Sequence, residues 1–200
     1  MRIVALDLEG VLIPEIWISV AERTRIPELR LTTRDVPDYD VLMRGRLAIL
    51  DKHGLGISQI KATIAEMEPL PGAKAFLDGL RSRHQVVILS DTFYEFAEPF
   101  MRKLGWPSLF CHSLDIAADG RVVGYKLRQT DPKRNAVRAL RGLNFRVVAA
   151  GDSYNDAPML AEAHAGILFR APANVLRDLP QYPHVETYEA LEQALEAALK

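Results

Sequence analysis

Two acidic clusters of the chain each follow a short apolar run. Asp7 and Glu9 come after residues 3–6, and a second cluster at residues 151–156 comes after residues 147–150. If the chain stays extended, carboxylates two residues apart project to the same side. One of them can act as a nucleophile while the other handles protons, provided that their surroundings separate their pKa values. Taken alone, the pair is equally compatible with an acidic loop after a strand.

The second cluster contains Asp152 and Asp156. Magnesium prefers hard oxygen ligands and usually keeps several waters, so that few carboxylates suffice to hold it. Asp7 and Asp152 could supply such ligands from the ends of neighbouring strands. By itself, the segment 152–156 could equally form a turn followed by a helix cap.

Two further residues have types that suit a bound anion. Ser90 follows the apolar run 86–89, and its hydroxyl and the backbone N–H groups after it can point at an anion. Lys133 follows Asp131 and Pro132, which suit the N-cap and the first position of a helix. The helix dipole disfavours a cation in that first turn, so a lysine there is explained if it faces a phosphate. The alternatives to anion binding are that Ser90 is a simple cap and that Lys133 is a solvated surface lysine.

The elements that would position these residues alternate between strands and helices. Continuous runs rich in β-branched residues, at 3–6, 86–89 and 147–150, are typical of strands buried on both faces of a parallel sheet. Helical spacing of apolar residues is found at Phe76, Leu77 and Leu80, at Ala136, Val137 and Leu140, and at Tyr188, Leu191, Leu195 and Leu199. The alternation predicts an α/β fold with a doubly wound parallel sheet. Ligands of such sheets bind beyond the carboxyl ends of the strands, where Asp7, Ser90 and Asp152 would gather.

Two segments interrupt this alternation. The segment 116–123 contains Asp119 followed by Gly120, which is a hairpin signal. A long excursion with helical patterns near 41–50 and 57–67 precedes a proline- and glycine-rich return at 69–72. We expect a small helical cap at residues 15–68, inserted after strand one into a core formed by residues 1–14 and 69–200.

The composition restricts the class of protein. The chain has 200 residues, of which 48% are hydrophobic, and its net charge is −1. Such a chain can bury a core, and it has no basic field to attract nucleic acid or an anionic membrane. We find no signal peptide and no run near the roughly 20 apolar residues of a membrane span, and therefore expect a cytoplasmic protein. The single cysteine, Cys111, is expected to be a small buried residue at a strand end.

The order of these residues resembles the four-motif pattern of the haloacid dehalogenase superfamily over essentially the whole chain. Asp7 with Glu9, Ser90, Lys133, and Asp152 with Asp156 match the four motifs in turn. The resemblance implies a Mg²⁺-dependent phosphohydrolase with a Rossmann-like core, in which Asp7 attacks the phosphate and forms an aspartyl phosphate. It also implies that Glu9 serves as acid and base and binds the metal through its main-chain carbonyl, together with Asp7 and Asp152, while Asp156 supports the site. The family usually has aspartate at the Glu9 position.

Within the superfamily, the sequence looks most like phosphoserine phosphatases. The shared features are a glutamate shortly after the first motif (Glu15), an arginine in the stretch 43–46 (Arg46), and the return at 71–72. A zwitterionic substrate needs an anion for its ammonium group and a fork of donors for its carboxylate, and Glu15 and Arg46 fit these needs. The resemblance adds Ser90, Asp91, Lys133 and Asn155 as further substrate-binding positions.

One departure from that group concerns the second motif. Phosphoserine phosphatases of this type normally have glycines after the serine, whereas here Asp91 and Thr92 follow Ser90. Together with Glu9, this resembles bifunctional enzymes that also transfer the phosphoryl group from phosphoserine to homoserine, in serine and threonine biosynthesis. We favour this bifunctional group, and a plain phosphoserine phosphatase is the alternative. The sequence leaves open whether the protein is a homodimer.

Two other functions are compatible with parts of this pattern. A sugar-phosphate or nucleotide phosphatase would keep the core motifs without using Glu15 and Arg46, and a substrate panel separates it. A receiver domain of signalling also uses an aspartate, magnesium and a lysine, but it is typically uncapped, with its phosphoacceptor on a middle strand. The excursion and the position of Asp7 at the first strand argue against it.

Overall fold

The first apolar run forms a strand at the centre of a sheet. The computed structural model describes residues 1–32, 35–36 and 38–200, and within these residues seven strands pair in the order β4-β3-β2-β1-β5-β6-β7. The strands are β1 (Arg2–Leu6), β2 (Gln85–Phe93), β3 (Ser108–Ile116), β4 (Val122–Lys126), β5 (Arg146–Gly151), β6 (Ala165–Phe169) and β7 (His184–Val185). All neighbouring strands are parallel except β3 and β4, which form an antiparallel hairpin.

Helices cover both faces of the sheet. They are α1 (Ile16–Thr24), α2 (Tyr39–Lys52), α3 (Ile57–Ala65), α4 (Ala73–Arg81), α5 (Tyr94–Lys103), α6 (Pro132–Gly142), α7 (Ala157–Glu162), α8 (Ala173–Asp178) and α9 (Tyr188–Leu199). Ile3 and Ala5 pack with α6, α7 and α8, whereas Val4 and Leu6 pack with α4, α5 and α9. Successive strand residues point to opposite faces, so a strand covered on both sides must be apolar throughout. The predicted doubly wound α/β fold is confirmed.

Among the described residues of the excursion at 15–68 lie the α-helices α1, α2 and α3. The predicted patterns at 41–50 and 57–67 correspond to α2 and α3, whereas α1 was not predicted. Buried residues of all three, such as Val20, Met43 and Ile60, belong to the same apolar cluster as Val4 and Phe96. The division of the chain into a core (1–14 and 69–200) and a cap (15–68) stays a prediction.

Several local expectations can be compared with the structure. The hairpin turns at Gly120, whose φ of +87° suits glycine, and α9 buries Leu191 and Leu195 as predicted. Strand β2 does not end before Ser90 but continues to Phe93, with an irregular register after Leu89.

Two expectations about single side chains hold in part. Asp131 stands at the N-cap of α6, but its backbone is left-handed and its side chain pairs with Arg134 at 3.0 Å instead of capping the helix. Cys111 is buried and free, but it lies inside β3 and not at its end. Among the described residues, the helices are too short or too polar to cross a membrane.

Candidate active site

The predicted site residues meet at the carboxyl ends of the parallel strands. Asp7 follows β1, Ser90 lies in β2, Lys133 opens α6 and Asp152 follows β5. All four line one cavity of about 420 Å³, and Glu9, Glu15, Arg46, Asp91 and Asn155 line the same cavity. Asp156 lies behind it. The structure therefore brings together every residue that the sequence proposed.

Lys133 is the centre of the charged cluster. Its side chain is only 3% exposed, and its Nζ lies 2.9 Å from Asp7 Oδ1, 2.6 Å from Asp156 Oδ1 and 3.6 Å from Asp91 Oδ2. Burial alone would lower the pKa of Lys133, but the Asp156 and Asp7 carboxylates raise it well above its ordinary value. Lys133 is thus a buried cation held among carboxylates, and the alternative of a solvated surface lysine does not hold.

The carboxylate of Asp7 is buried and fixed in orientation. Its Oδ1 accepts hydrogen bonds from Lys133 Nζ at 2.9 Å and from the N–H of Leu8 at 2.8 Å. Burial raises the pKa of Asp7 well above its ordinary value and the Asp156 charge adds to the rise, while Lys133 acts against it. Additional positive charge at this point would favour the ionised carboxylate.

Asp156 organises the loop after β5. It is fully buried, and its Oδ2 accepts from the N–H groups of Asp152 at 2.9 Å and Ser153 at 3.1 Å. The close packing depends on Gly151, because a Cβ there would lie 2.3 Å from Asp156 Cγ. The supporting role expected for Asp156 agrees with this geometry, whereas the need for Gly151 was not recognised in the sequence.

The carboxylates of Asp7, Asp152 and Asp156 could hold a metal ion. One oxygen from each lies within 4.8 Å of the others. Asp156 is already committed to Lys133 and two N–H groups, so Asp7 and Asp152 are the better ligands. Burial, followed by the charge of Asp156, raises the pKa of Asp152 to about 7. Hard oxygen ligands that are crowded and short of positive charge fit a divalent cation such as Mg²⁺.

Gly10 is required next to this cluster. Its φ is +77°, and a Cβ added to it would lie 2.4 Å from Asp152 Oδ2. Any side chain at position 10 would therefore strain the backbone and displace a candidate metal ligand. Glycine is therefore needed at position 10 both for the left-handed backbone and for the close approach to Asp152.

Glu9 faces the helical side of the cavity. Its Oε2 accepts from the N–H of Ile16 at 2.8 Å, at the start of α1. Burial, followed by the charge of Glu15, raises the pKa of Glu9 to about 8. The raised pKa favours the protonated carboxyl group, which is the state that a proton donor needs.

Arg46 reaches the cavity from α2. It is buried, its Nη2 donates to the carbonyl of Leu31 at 2.8 Å, and its guanidinium lies 4.5 Å from the ring centre of Trp17. Burial lowers the pKa of Arg46 to about 10, against the raising effect of Glu9. Its Nε has no hydrogen-bond partner among the described residues. Glu15, across the cavity at the start of α1, is exposed.

The second motif forms a polar group of its own. The N–H of Thr92 donates to Ser90 Oγ at 3.2 Å, and Asn155 Nδ2 donates to Asp91 Oδ2 at 3.0 Å. Burial would raise the pKa of Asp91, but Lys133 and His112 hold it well below its ordinary value. Asp91 is therefore an anion inside the cavity, and the amide of Asn155 points at it.

Several residues that line the cavity were not recognised in the sequence, among them Trp17, Tyr39, His112 and Gln129. Tyr39 donates from its hydroxyl to the carbonyl of Asp91 at 3.4 Å. A signal existed only for His112, because a histidine inside a strand with buried neighbours is unusual unless it has a partner. The others occupy positions that also suit ordinary packing.

Comparisons with known proteins agree with the sequence motifs and the fold. A family model described as a haloacid dehalogenase-like hydrolase matches residues 1–164. The chain is 63% identical over 193 residues to the phosphoserine phosphatase ThrH of Pseudomonas aeruginosa, covering 96% of this chain and 94% of that protein. It is 60% identical over 193 residues to a phosphoserine phosphatase of Pseudomonas syringae pv. tomato, covering 96% and 81%.

Solved structures of similar shape include phosphoserine phosphatases. A phosphoserine phosphatase in its apo form has a TM-score of 0.76 at 20% identity, over 96% of this chain and 98% of that one. The phosphoserine phosphatase of T. onnurineus has a TM-score of 0.67 at 25% identity, over 97% and 94%. The apo structure supports the fold, and the more similar sequences carry the argument about activity.

Proposed function

The chain belongs to the haloacid dehalogenase-like hydrolases, and from that premise we propose that it is a magnesium-dependent phosphoserine phosphatase. The observation that carries the proposal is the carboxylate of Asp7, held by buried Lys133 at the end of β1. A nucleophile of this kind, next to a fixed cation, suits attack on a phosphate ester. The relatives named phosphoserine phosphatase indicate the substrate.

The proposed reaction has two steps. In the first, an Asp7 oxygen forms a bond to phosphorus, the ester P–O bond breaks, and Glu9 gives its proton to the departing serine oxygen. In the second, Glu9 takes a proton from water, the water oxygen bonds to phosphorus, and the bond to Asp7 breaks. A pKa of about 8 supports the acid role of Glu9 in the first step. The first step converts the Asp7 carboxylate into an aspartyl phosphate, and the second step regenerates the carboxylate.

Lys133 and Ser90 would bind the phosphate during these steps. The charge of a phosphate repels an anionic nucleophile, so positive charge must offset it. Lys133 is already adjacent to Asp7, and Ser90 stands on the next strand with its hydroxyl at the cavity. Asp7, Asp152 and the main-chain carbonyl of Glu9 would hold Mg²⁺, which supplies further positive charge against that of the phosphate.

Arg46 and Glu15 would select the amino-acid part of phosphoserine. Arg46 is buried and its side chain lines the cavity, where the guanidinium would pair with the substrate carboxylate. Glu15 presents an exposed carboxylate to the same cavity, where it can accept from an ammonium group. This pair distinguishes a phosphoserine site from a sugar-phosphate or nucleotide site.

Transfer of the phosphoryl group to homoserine is a second candidate activity. The supporting observation is Asp91, which places a carboxylate in the cavity directly after Ser90, where phosphoserine phosphatases of the plain type have glycine. Once serine has left, Glu15 and Arg46 would be free to bind another zwitterion. Homoserine has the same head groups and one more methylene, so its hydroxyl could replace the attacking water.

The direct experiment is an assay of phosphoserine turnover with Mg²⁺, with and without homoserine, followed by phosphorus NMR. We expect inorganic phosphate in the first reaction and additional phosphohomoserine in the second, with ATP unable to replace phosphoserine as the donor. If inorganic phosphate is the only phosphorylated product at saturating homoserine, the protein is a plain phosphatase without the transferase activity. No turnover of phosphoserine, with turnover of a sugar phosphate, would refute the substrate assignment. A cytoplasmic location and a homodimer also remain proposals.

A further inference from the structure

His112 is a buried histidine at the wall of the cavity. It lies in β3 and is 3% exposed, and its Nδ1 accepts the N–H of Arg128 at 3.1 Å. An imidazole nitrogen that accepts a hydrogen bond carries no proton, so in the neutral ring the proton belongs on Nε2. The main chain of Arg128 therefore fixes both the tautomer and the direction of the ring.

The protonated nitrogen of this ring faces Asp91. Nε2 of His112 lies 3.8 Å from Asp91 Oδ1. This distance is too long for a direct hydrogen bond but short enough for attraction between an N–H dipole and a carboxylate. The other oxygen of the same carboxylate accepts from Asn155 and lies 3.6 Å from Lys133. Three donors thus surround one carboxylate that is 32% exposed to the cavity.

A carboxylate in this position creates an electrostatic problem for a phosphatase. The cavity must receive a phosphate dianion, and the Asp91 anion repels it. Lys133, which offsets the charge of Asp91, is also the cation expected to bind the phosphate. His112 and Asn155 are then the neighbours left to restrain Asp91.

We propose that His112 is a positioning residue that restrains the carboxylate of Asp91, so that it keeps the Asn155 amide oriented and does not turn towards the bound phosphate. The proposal rests on the proposed phosphatase function for its biological meaning. Its direct consequence, tighter binding of a phosphate ion, can be measured without turnover of phosphoserine.

Two substitutions of His112 separate its two contacts. His112→Asn places an amide oxygen near the position of Nδ1, where it can still accept from Arg128, but withdraws the donor from Asp91. His112→Gln places an amide nitrogen near the position of Nε2 and keeps a donor there. We expect His112→Asn to raise the Kd of the magnesium-loaded protein for inorganic phosphate about five- to tenfold, measured by calorimetry, and His112→Gln to restore most of the affinity.

His164 provides a matched control. Its Nδ1 also accepts a main-chain N–H, that of Val147 at 3.0 Å, but His164 is exposed and does not line the cavity. His164→Asn should therefore leave the Kd for phosphate unchanged. With phosphoserine as substrate, His112→Asn should raise KM by a similar factor and change kcat less than about twofold.

A double-mutant cycle with Asp91→Ala decides whether His112 acts through Asp91. If it does, His112→Asn will have little further effect on phosphate binding when Asp91 is already alanine. The same loss in both backgrounds, or a fall in kcat with unchanged KM, would overturn the proposal. If the wild type does not turn over phosphoserine, the proposed function is refuted. The double-mutant cycle on phosphate binding still decides whether His112 acts through Asp91.

Nitrogen NMR keeps the test open if His112→Asn does not fold. In the wild type, the ring of His112 should be protonated at Nε2, and the side-chain amide signals of Asn155 should shift in Asp91→Ala. The proposed arrangement would be contradicted if the wild-type ring of His112 is protonated at Nδ1. It would also be contradicted if the Asn155 amide signals are the same in the wild type and in Asp91→Ala.

Discussion

The two sides of the cavity differ in how completely their polar groups are bonded. On the side of the sheet, Lys133 contacts three carboxylates, and Asp156 is tied to Lys133 and two N–H groups. On the side of the helices, Arg46 keeps Nε without a partner among the described residues, and Glu15 is exposed. Reactions benefit from groups that are held in place before the substrate arrives, whereas recognition needs groups whose bonding capacity the substrate completes.

From this difference we propose separate tasks for the two sides. Changes on the sheet side should reduce the turnover of every phosphate ester. Changes to Arg46 and Glu15 on the helical side should affect only esters with ammonium and carboxylate groups. Phenyl phosphate, which has neither, is therefore the reference substrate for the variants below.

The largest effect is expected for Asp7→Asn. The substitution keeps the shape of the side chain but removes the attacking charge, so kcat should fall more than about a thousandfold on both phosphoserine and phenyl phosphate. Asp78→Asn, on the exposed face of α4 where Asp78 pairs with Lys74, is the control and should keep full activity. Retention of more than a few per cent of activity by a pure Asp7→Asn protein would show that Asp7 is not the nucleophile.

Gly10→Ala should be nearly as damaging for a different reason. Its Cβ would collide with Asp152 and disturb the candidate metal site, so we expect activity on both substrates to fall about a hundredfold and the affinity for Mg²⁺ to weaken. Gly54→Ala is a matched control, because Gly54 also has a positive φ of +62° but open space around its Cβ position. Both variants should lose about 1 kcal/mol of stability from backbone strain, and only Gly10→Ala should lose activity. Equal activities would contradict the placement of Asp152.

Glu15→Gln tests the helical side. Without the carboxylate charge, the KM for phosphoserine should rise about tenfold, while phenyl phosphate should be hydrolysed as before. Glu22→Gln on the same helix removes an exposed partner of Arg30, a type of pair worth little, and should change neither value. A loss on phenyl phosphate as large as that on phosphoserine would mean that Glu15 has no part in recognising the amino group.

The smallest effect is expected for Tyr188→Phe. The Tyr188 hydroxyl donates to the buried carbonyl of Val11 at 2.6 Å, just after the first acidic cluster. Its loss should cost about 1 kcal/mol in the free energy of unfolding, measured in urea, with kcat/KM changed less than about threefold on either substrate. A much larger loss of activity at nearly unchanged stability would show that the sheet side depends on this distant bond.

The sequence was sufficient to predict the parts of the molecule that follow from local patterns. The apolar runs before Asp7, Ser90 and Asp152 identified β1, β2 and β5, and the rule for ligand sites in parallel sheets placed these residues together. Glu15 and Arg46 were predicted from the family resemblance, because the periodicity of the sequence does not single them out. Both line the same cavity in the structure.

Other features depend on contacts between distant parts of the chain. Asp91 bonds to Asn155, which lies 64 positions away, and faces His112 on a neighbouring strand. Such pairs leave no mark in the spacing of one sequence. The left-handed backbone of Asp131 was also unexpected, because an aspartate before a proline suits an ordinary cap equally well.

The most direct test of the division between the two sides is Arg46→Ala assayed on two substrates. A charge-assisted bond to the phosphoserine carboxylate is worth about 2–3 kcal/mol, so kcat/KM for phosphoserine should fall about 30- to 150-fold, mainly through KM, with phenyl phosphate nearly unaffected. Arg44→Ala removes an exposed guanidinium that lies two positions before Arg46 on α2 and pairs with Asp40, and it should leave both substrates unaffected. Equal losses on both substrates in Arg46→Ala would contradict the account, because Arg46 would then support the structure and not the recognition of an amino acid.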